Sequence, residues 1–207
     1  MKIAFAKPQL PTEGAAIVGV LEGKVLTATA QTLDQQSGGA LSRAIAASRF
    51  EGKKDQTLTV LAPAGLELNR VVLVGLGKAE AIDALAAQSF GGTALAQVVN
   101  SGDAAAAIAA DAIGGAKIGP AEFAAQAAYG ARLRSYRFDK YFTQEKKDSK
   151  PSVKKLTVLS SEHAAAKAAF QPLDSVADGV FLTRDLVSEP ANVIHPESLA
   201  EECRKLA

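Results

Sequence analysis

Runs of apolar residues along the chain predict the strands of a sheet. Val71–Val74 is apolar at every position, so both faces of this strand are expected to be buried and the strand to lie in mid-sheet. Lys2–Ala6 and Ala15–Leu21 predict two earlier strands, and Pro8 and Pro11 break the connection between them. Three further runs predict strands, namely Gln56–Ala62, Ala104–Ala109 and Val153–Leu159.

Apolar residues at helical spacing alternate with these strands. One helix begins near Gly39, where Leu41 and Ile45 share a face. Another contains Gly91–Gly92, and each of these glycines weakens it by roughly 1 kcal/mol relative to alanine. A third starts at Pro120, because proline is tolerated at the first helical position. The predicted helices span about 39–50, 81–100, 120–135, 161–170 and 173–187.

This alternation predicts an α/β fold with three layers, in which a mixed sheet is covered by helices on both faces. Phe138–Pro151 is rich in lysine and poor in apolar residues, so we expect an exposed loop there. The sheet domain is expected to end near Phe170, before a connecting helix.

Composition and charge exclude several partners. Hydrophobic residues make up 48% of the chain and charged residues 22%, as in ordinary globular proteins, and the net charge is +1. No strong positive field or polybasic tail points to nucleic acid or a membrane surface. No apolar run approaches about 18 residues, and the N-terminus has no secretory pattern. The single cysteine, Cys203, excludes an internal disulfide, so the cytoplasm is the expected location.

The glycines after the central strand are the first candidate for chemistry. Gly75-Leu76-Gly77 follows Val74, where bare backbone amides at a helix N-terminus could hold a phosphate. Glu80 stands where the dinucleotide-binding pattern has its third glycine, and no Gly-Lys-Ser/Thr sequence follows. Tight backbone packing at a strand-to-helix turn is therefore the favoured interpretation.

Neither histidine nor the cysteine indicates catalysis. His163 and His195 lack His, Cys or acidic neighbours at metal-ligand spacing, so both are interpreted as surface or capping residues. Cys203 lies on the apolar stripe of a helix that starts at Pro196, which favours a small buried hydrophobe over a nucleophile. We therefore predict no catalytic, cofactor-binding or metal-binding residue in this chain.

A lysine-rich stretch offers a second candidate, for nucleic-acid contact. Six lysines within 140–155 could meet phosphates, and nearby aromatic rings could stack on bases. No recognised nucleic-acid module accompanies them, so a solvated loop is favoured. The residues of this candidate are Lys140, Lys146, Lys147, Lys150, Lys154 and Lys155 with Tyr136, Tyr141 and Phe142, and Arg132, Arg134 and Arg137 either extend the patch or lie along a helix end.

The segment at the end of the last long predicted helix carries a resemblance to a known family. Arg184–Pro196 reads Arg-Asp-Leu-Val-Ser-Glu-Pro-Ala-Asn-Val-Ile-His-Pro and resembles the segment that joins the two domains of the leucyl aminopeptidases, also called cytosol aminopeptidases. Ser188 replaces the usual Asn of that segment. Arg70–Lys78 and Tyr136–Tyr141 are similar to that family in order and spacing, so the resemblance covers essentially the whole chain.

The resemblance implies a macro-domain-like N-terminal domain, a linker helix and a catalytic domain that holds two divalent ions, manganese or zinc. In that family the ions activate a water that attacks the N-terminal peptide bond. The metal ligands lie in motifs such as Asn-Thr-Asp-Ala-Glu-Gly-Arg, which have no match here. The resemblance also implies a homohexamer, with the peptide substrate bound in the catalytic domain.

We therefore expect a scaffold from which the catalytic part is missing. Leu199, Cys203 and Leu206 form an apolar stripe with no partner, and no C-capping residue follows them. The expected parts are a macro-like domain (1–170), a linker helix and joint (171–195) and the start of a truncated catalytic domain (196–207). The chain alone is expected to be inactive and a monomer or weak dimer.

Two other functions stay open on the residues alone. A free-standing macro-like module could hold a nucleotide or ADP-ribose-type ligand beside Gly75 and Gly77. The lysine-rich stretch 140–155 could contact nucleic acid.

Overall fold

The computed structural model of the protein describes residues 1–146 and 150–206. One mixed sheet of seven strands forms its centre in these residues. The strands are β1 (Lys2–Ala6), β2 (Ala15–Leu21), β3 (Val25–Leu26), β4 (Thr57–Leu61), β5 (Arg70–Gly77), β6 (Ala105–Ala109) and β7 (Lys155–Leu159).

The sheet has the order β1-β7-β6-β2-β5-β4, with the short β3 paired to the end of β2. All pairs on this path are parallel except β4 with β5, which is antiparallel. Ile17 on β2 lies between Val72 on β5 and Ile108 on β6. β2 and β5 are interior strands buried on both faces, which explains why both are continuous apolar runs.

Helices cover both faces of this sheet. α3, α4 and α5 pack with one face around Phe90, Phe123 and Leu156, while α1 and α2 pack on the other around Leu33 and Leu41. The helices are α1 (Ala28–Gln36), α2 (Ala40–Ala46), α3 (Ala84–Val98), α4 (Pro120–Arg134), α5 (His163–Ser188) and α6 (Pro196–Leu206), and a 3-10 turn spans Ala79–Ala81.

The three-layer prediction is confirmed. The predicted strands agree with the observed ones within two residues at each end, except that β5 continues three residues beyond Val74 to Gly77. One helix was not predicted. α1 follows Thr27, whose hydroxyl donates to Gly19 O at 3.0 Å instead of capping the helix. The cap comes from Asp111, whose carboxylate accepts from the Thr29 amide at 2.9 Å and the Thr29 hydroxyl at 2.6 Å. A cap supplied 82 residues away has no local sequence signal.

The prediction of two helices around residue 171 is wrong. α5 is continuous from His163 to Ser188 and includes Pro172. Proline removes one backbone hydrogen bond and usually bends or ends a helix. Here Phe170 and Ala177, on either side of the proline, are both buried in the core, so packing keeps one helix across it.

Candidate functional site

The candidate functional site is the contact between α5, the joint that follows it, and the end of α4 with the segment after it. We call residues 189–195 the joint and residues 135–146 the tether. Polar and aromatic side chains connect these four pieces, and the connections start at Arg132.

Arg132 holds the first half of α5 against α4. Its Nε donates to Asp174 Oδ1 at 2.9 Å and a terminal nitrogen donates to Asp178 Oδ1 at 2.7 Å. These two aspartates are four residues apart, so they share one helix face. The same guanidinium lies 4.5 Å from the ring centre of Phe181, one further turn along. One arginine therefore fixes three positions on α5.

Tyr136 continues this contact towards the end of α5. Its ring centre lies 5.2 Å from that of Phe181, and its hydroxyl donates to Asp185 Oδ1 at 2.9 Å. Desolvation and the Asp185 carboxylate hold the pKa of Tyr136 above its ordinary value. The Arg184 guanidinium lies 5.3 Å from the Tyr136 ring centre and donates to Leu133 O at 3.1 Å.

Glu189 ties the joint to the tether. Lys140 Nζ donates to Glu189 Oε1 at 2.6 Å, and the Tyr141 hydroxyl donates to the other carboxylate oxygen. The Glu189 side chain is only 10% exposed. Hydrogen bonds from Lys140 and Tyr141 hold the pKa of Glu189 below its ordinary value. We call Lys140, Tyr141 and Glu189 the clamp.

Arg137 stabilises the tether itself. Its guanidinium pairs with Asp139 at 3.2 Å and with Glu145, and it lies 5.6 Å from the ring centre of Phe142. The segment that presents the clamp donors is therefore held by its own ion pairs.

Beyond the joint, α6 has no buried residue within the described chain. Leu199 and Leu206 are 43% and 70% exposed, and on α5 Val176 and Val187 are 53% and 81% exposed. Cys203 is also exposed, so its interpretation as a buried small hydrophobe is wrong for this chain. The predicted stripe exists but is uncovered here.

The strand-to-helix turn at Gly75 and Gly77 was also placed incorrectly. β5 extends through Gly77, and α3 begins only at Ala84, capped by the Asp83 side chain. A Cβ on Gly75 would lie 2.8 Å from the carbonyl carbon of Gly52, so this position has no space for a ligand. Tight backbone packing, the favoured interpretation of the glycine, is confirmed.

A separate cleft of about 370 Å³ lies at the carboxyl ends of β6 and β7. Ligands often bind at this edge in open α/β sheets. Here the amide of Thr29 at the α1 N-terminus is already bonded to the Asp111 carboxylate. A phosphate at that amide would have to displace a carboxylate and meet its negative charge, so the cleft gives the nucleotide or ADP-ribose interpretation no support.

Within the described residues, neither histidine shares a hydrogen bond with the clamp. His163 begins α5 and is partly buried, and its Nδ1 has no hydrogen-bond partner in the described residues. His195 is exposed and its Nδ1 lies 2.9 Å from Glu197 Oε2. Across residues 1–146 and 150–206, no three His, Cys, Asp or Glu side chains are grouped to hold a metal ion.

Several members of the lysine-rich candidate are paired with acids. Lys140 and Arg132 are neutralised by the contacts described above, and the hydroxyls of Tyr136 and Tyr141 are bonded to carboxylates. Lys154 and Lys155 lie at the start of β7, outside the tether. Lys147 lies outside the described residues. These pairs favour a structural role for the tether over nucleic-acid contact.

Sequence reasoning missed the acidic half of this site. Asp174, Asp178 and Asp185 recur at helical spacing along α5 and could have been recognised as one charged face opposite the arginines of α4. Nothing in the sequence pairs Glu189 with residues 48 and 49 positions earlier.

Comparison with known proteins assigns the chain to one family. Residues 17–145 match the model of the cytosol aminopeptidase family, N-terminal domain. A probable cytosol aminopeptidase from Caulobacter vibrioides is 41% identical over 209 residues, covering 100% of this chain. The chain belongs to the cytosol aminopeptidase family. A second relative in this family, from Xanthobacter autotrophicus, is 37% identical and covers 98% of the chain.

Solved structures agree with this cytosol aminopeptidase assignment. A tomato leucine aminopeptidase mutant matches the whole chain with a TM-score of 0.82 and 27% identity, and the match covers 42% of that chain. The bottromycin maturation enzyme BotP in complex with Mn shares the fold, with a TM-score of 0.66 at 24% identity, and the match covers 95% of this chain and 36% of that one.

The cytosol aminopeptidase chain described here spans 41% of the length of the Caulobacter relative and 40% of the Xanthobacter relative. No helix in the described part of the chain has both the length and the apolar character needed to cross a membrane.

Proposed function

We propose that this chain is the non-catalytic N-terminal portion of a metal-dependent aminopeptidase that releases N-terminal amino acids from peptides. The observation that carries the proposal is the match of residues 17–145 to the N-terminal domain of the family. The hydrolytic centre, with two divalent ions such as manganese or zinc, would belong to the catalytic domain of the whole enzyme. The peptide substrate would bind there as well.

The partner of this chain in the proposal is its own catalytic domain. The proposed parts are the macro-like domain (1–170), the linker and joint (171–195) and the first turns of the catalytic domain (196–207). The boundary at residue 170 falls inside α5, so the linker would be the second half of that helix. Support comes from Val187, Leu199 and Leu206, which are exposed on α5 and α6 and would be buried against the partner.

Assembly and location complete the proposal. The whole enzyme would be a cytoplasmic homohexamer, and this chain alone a monomer or weak dimer. Sedimentation of the 207-residue chain at several concentrations checks this, since a stable hexamer would contradict it.

Hydrolysis of a leucine chromogenic amide tests the proposed activity. The 207-residue chain and the protein extended to the full length of its relatives are each supplied with manganese. We expect turnover only from the extended protein, and chelation should abolish it. Turnover by the short chain, or none by a folded and metal-loaded extended protein, would overturn the proposal.

A further inference from the structure

The direction in which the chain leaves α5 is not fixed by the helix alone. α5 ends at Ser188, and Glu189 is extended (φ −68°, ψ 143°), as expected for a residue before proline. The joint then closes locally, because the amides of Val193 and Ile194 donate to Pro190 O at 2.8 and 3.0 Å. Bonds of this kind shape the joint but do not orient it relative to the sheet.

The start of α6 is organised in the same local way. Ser198 Oγ accepts from the His195 amide and donates to Val193 O, both at 2.9 Å. Among the residues described, the hydrogen bonds from 189–206 to the body that precedes α5 all involve the Glu189 carboxylate. The joint and α6 are thus one small unit with a polar attachment at its first residue.

The clamp has the geometry of an orienting contact. Lys140 and Tyr141 approach different oxygens of one carboxylate, so the group is held at two points and its rotation is restricted. The carboxylate is largely withdrawn from water, and loss of its partners would leave a charge that is poorly solvated. The donors come from a tether that Arg137 holds through Asp139 and Glu145.

We propose that Glu189 is a positioning residue that fixes the orientation of everything after the joint relative to the sheet. Lys140 and Tyr141 are the two groups through which it acts. The geometric claim concerns this chain alone, whereas its consequence for an enzyme, a set orientation of the catalytic domain, rests on the proposed function.

The single native cysteine makes the orientation measurable. Cys203 is exposed on α6, beyond the joint, and is the only cysteine of the chain. Ala46, exposed at the end of α2 on the opposite side of the sheet, is replaced by Cys as the second site. Spin labels on both report the distribution of distances between α6 and the body by pulsed electron paramagnetic resonance.

The expected result is a narrow distribution in the parent double-labelled chain and one at least about twofold broader in Glu189→Ala, because the unit then rotates about the joint. Tyr141→Phe and Lys140→Met each remove one donor and should give intermediate widths. Lys205→Met is the matched control, since it removes an exposed ion pair to Glu202 within α6 and should leave the width unchanged.

An unchanged width in all three clamp variants, with melting temperature retained, overturns the proposal, and so does a broad distribution in the parent chain. If Glu189→Ala fails to fold, Tyr141→Phe decides, because it removes only one hydroxyl. Hydrolysis by the extended protein is scored separately. If the clamp variants broaden the distribution but the extended parent protein shows no hydrolysis, the proposed function is refuted and the clamp proposal stands. If the extended parent protein hydrolyses the amide but the clamp variants leave the width unchanged, the clamp proposal is refuted and the proposed function stands.

Discussion

Gly91 of α3 lies directly against the main chain of Ala127 on α4. A Cβ atom on Gly91 would overlap the Ala127 carbonyl oxygen and lie 2.8 Å from its Cα. The contact is reciprocal, because a Cβ on Gly130 would lie 2.8 Å from the Cα of Gln88. The two helix backbones therefore approach as closely as glycine permits, and Gln88 and Gln126 are joined by a 2.8 Å hydrogen bond at the crossing.

Gly91→Ala is expected to destabilise the fold by about 2 kcal/mol or more, because overpacking between two backbones outweighs the gain of roughly 1 kcal/mol in helix propensity. Gly92→Ala is the matched control. A Cβ there would lie 3.6 Å from Gly130 O, an ordinary contact, so this variant should be neutral or slightly stabilised. Urea denaturation measures both, and equal effects from the two substitutions would show that the close approach is not what matters.

Asp103 provides a buried ionic contact at the other end of the sheet. It is 5% exposed, and its carboxylate accepts from Arg70 Nε at 2.7 Å and from Ser101 Oγ at 2.8 Å. Asp103→Asn should lower the free energy of unfolding by about 3 kcal/mol, since it leaves the Arg70 guanidinium without its counterion. Glu51→Gln, which breaks an exposed pair with Lys53 at 2.6 Å, should change it far less, because solvent screens that pair. Chemical denaturation of both variants distinguishes a buried from an exposed pair.

The same carboxylate gives the fold a dependence on pH. Burial alone would raise the pKa of Asp103, but hydrogen bonds from Asn69 and Ser101 and the charge of Arg70 outweigh it, so the pKa lies below its ordinary value. Because the folded pKa is the lower one, the stabilisation is complete above the pKa of an unfolded aspartate and is lost as pH falls through the folded pKa. Denaturation midpoints between about pH 7 and about pH 3 should therefore fall less steeply in Asp103→Asn than in the parent. Parallel curves would contradict this assignment.

Burial of the exposed face of α5 would distinguish the extended protein from the 207-residue chain. Val187 is 81% exposed, so Val187→Ser should change the stability of this chain by no more than about 0.5 kcal/mol. In the extended protein the same substitution should lower the melting temperature, if a catalytic domain covers this face. Val25→Ser, at a valine 52% exposed on β3, should be neutral in both proteins. An equal response of the two proteins to Val187→Ser would mean that the face stays open.

The sequence predicted the sheet well because its signals are local. An interior strand such as β5, in a sheet covered by helices on both faces, must be apolar on both faces, and consecutive apolar residues show this directly. The start of α4 at Pro120 is local in the same sense. The segment around Glu189-Pro190 likewise carried the resemblance to the family, which the comparisons confirm.

Tertiary structure decided the features that depend on partners distant along the chain. The cap of α1 is an aspartate from beyond β6, and α5 continues through Pro172 because core packing on both sides of it outweighs one lost hydrogen bond. Gly91 lowers helix propensity, but the neighbouring backbone of α4 leaves no space for a side chain at this position. The sequence alone thus determined the strands, most of the helices and the family, since these follow from residues close together in the chain. Only the folded structure brought Lys140 and Tyr141 to Glu189, because contacts between distant segments depend on packing in three dimensions.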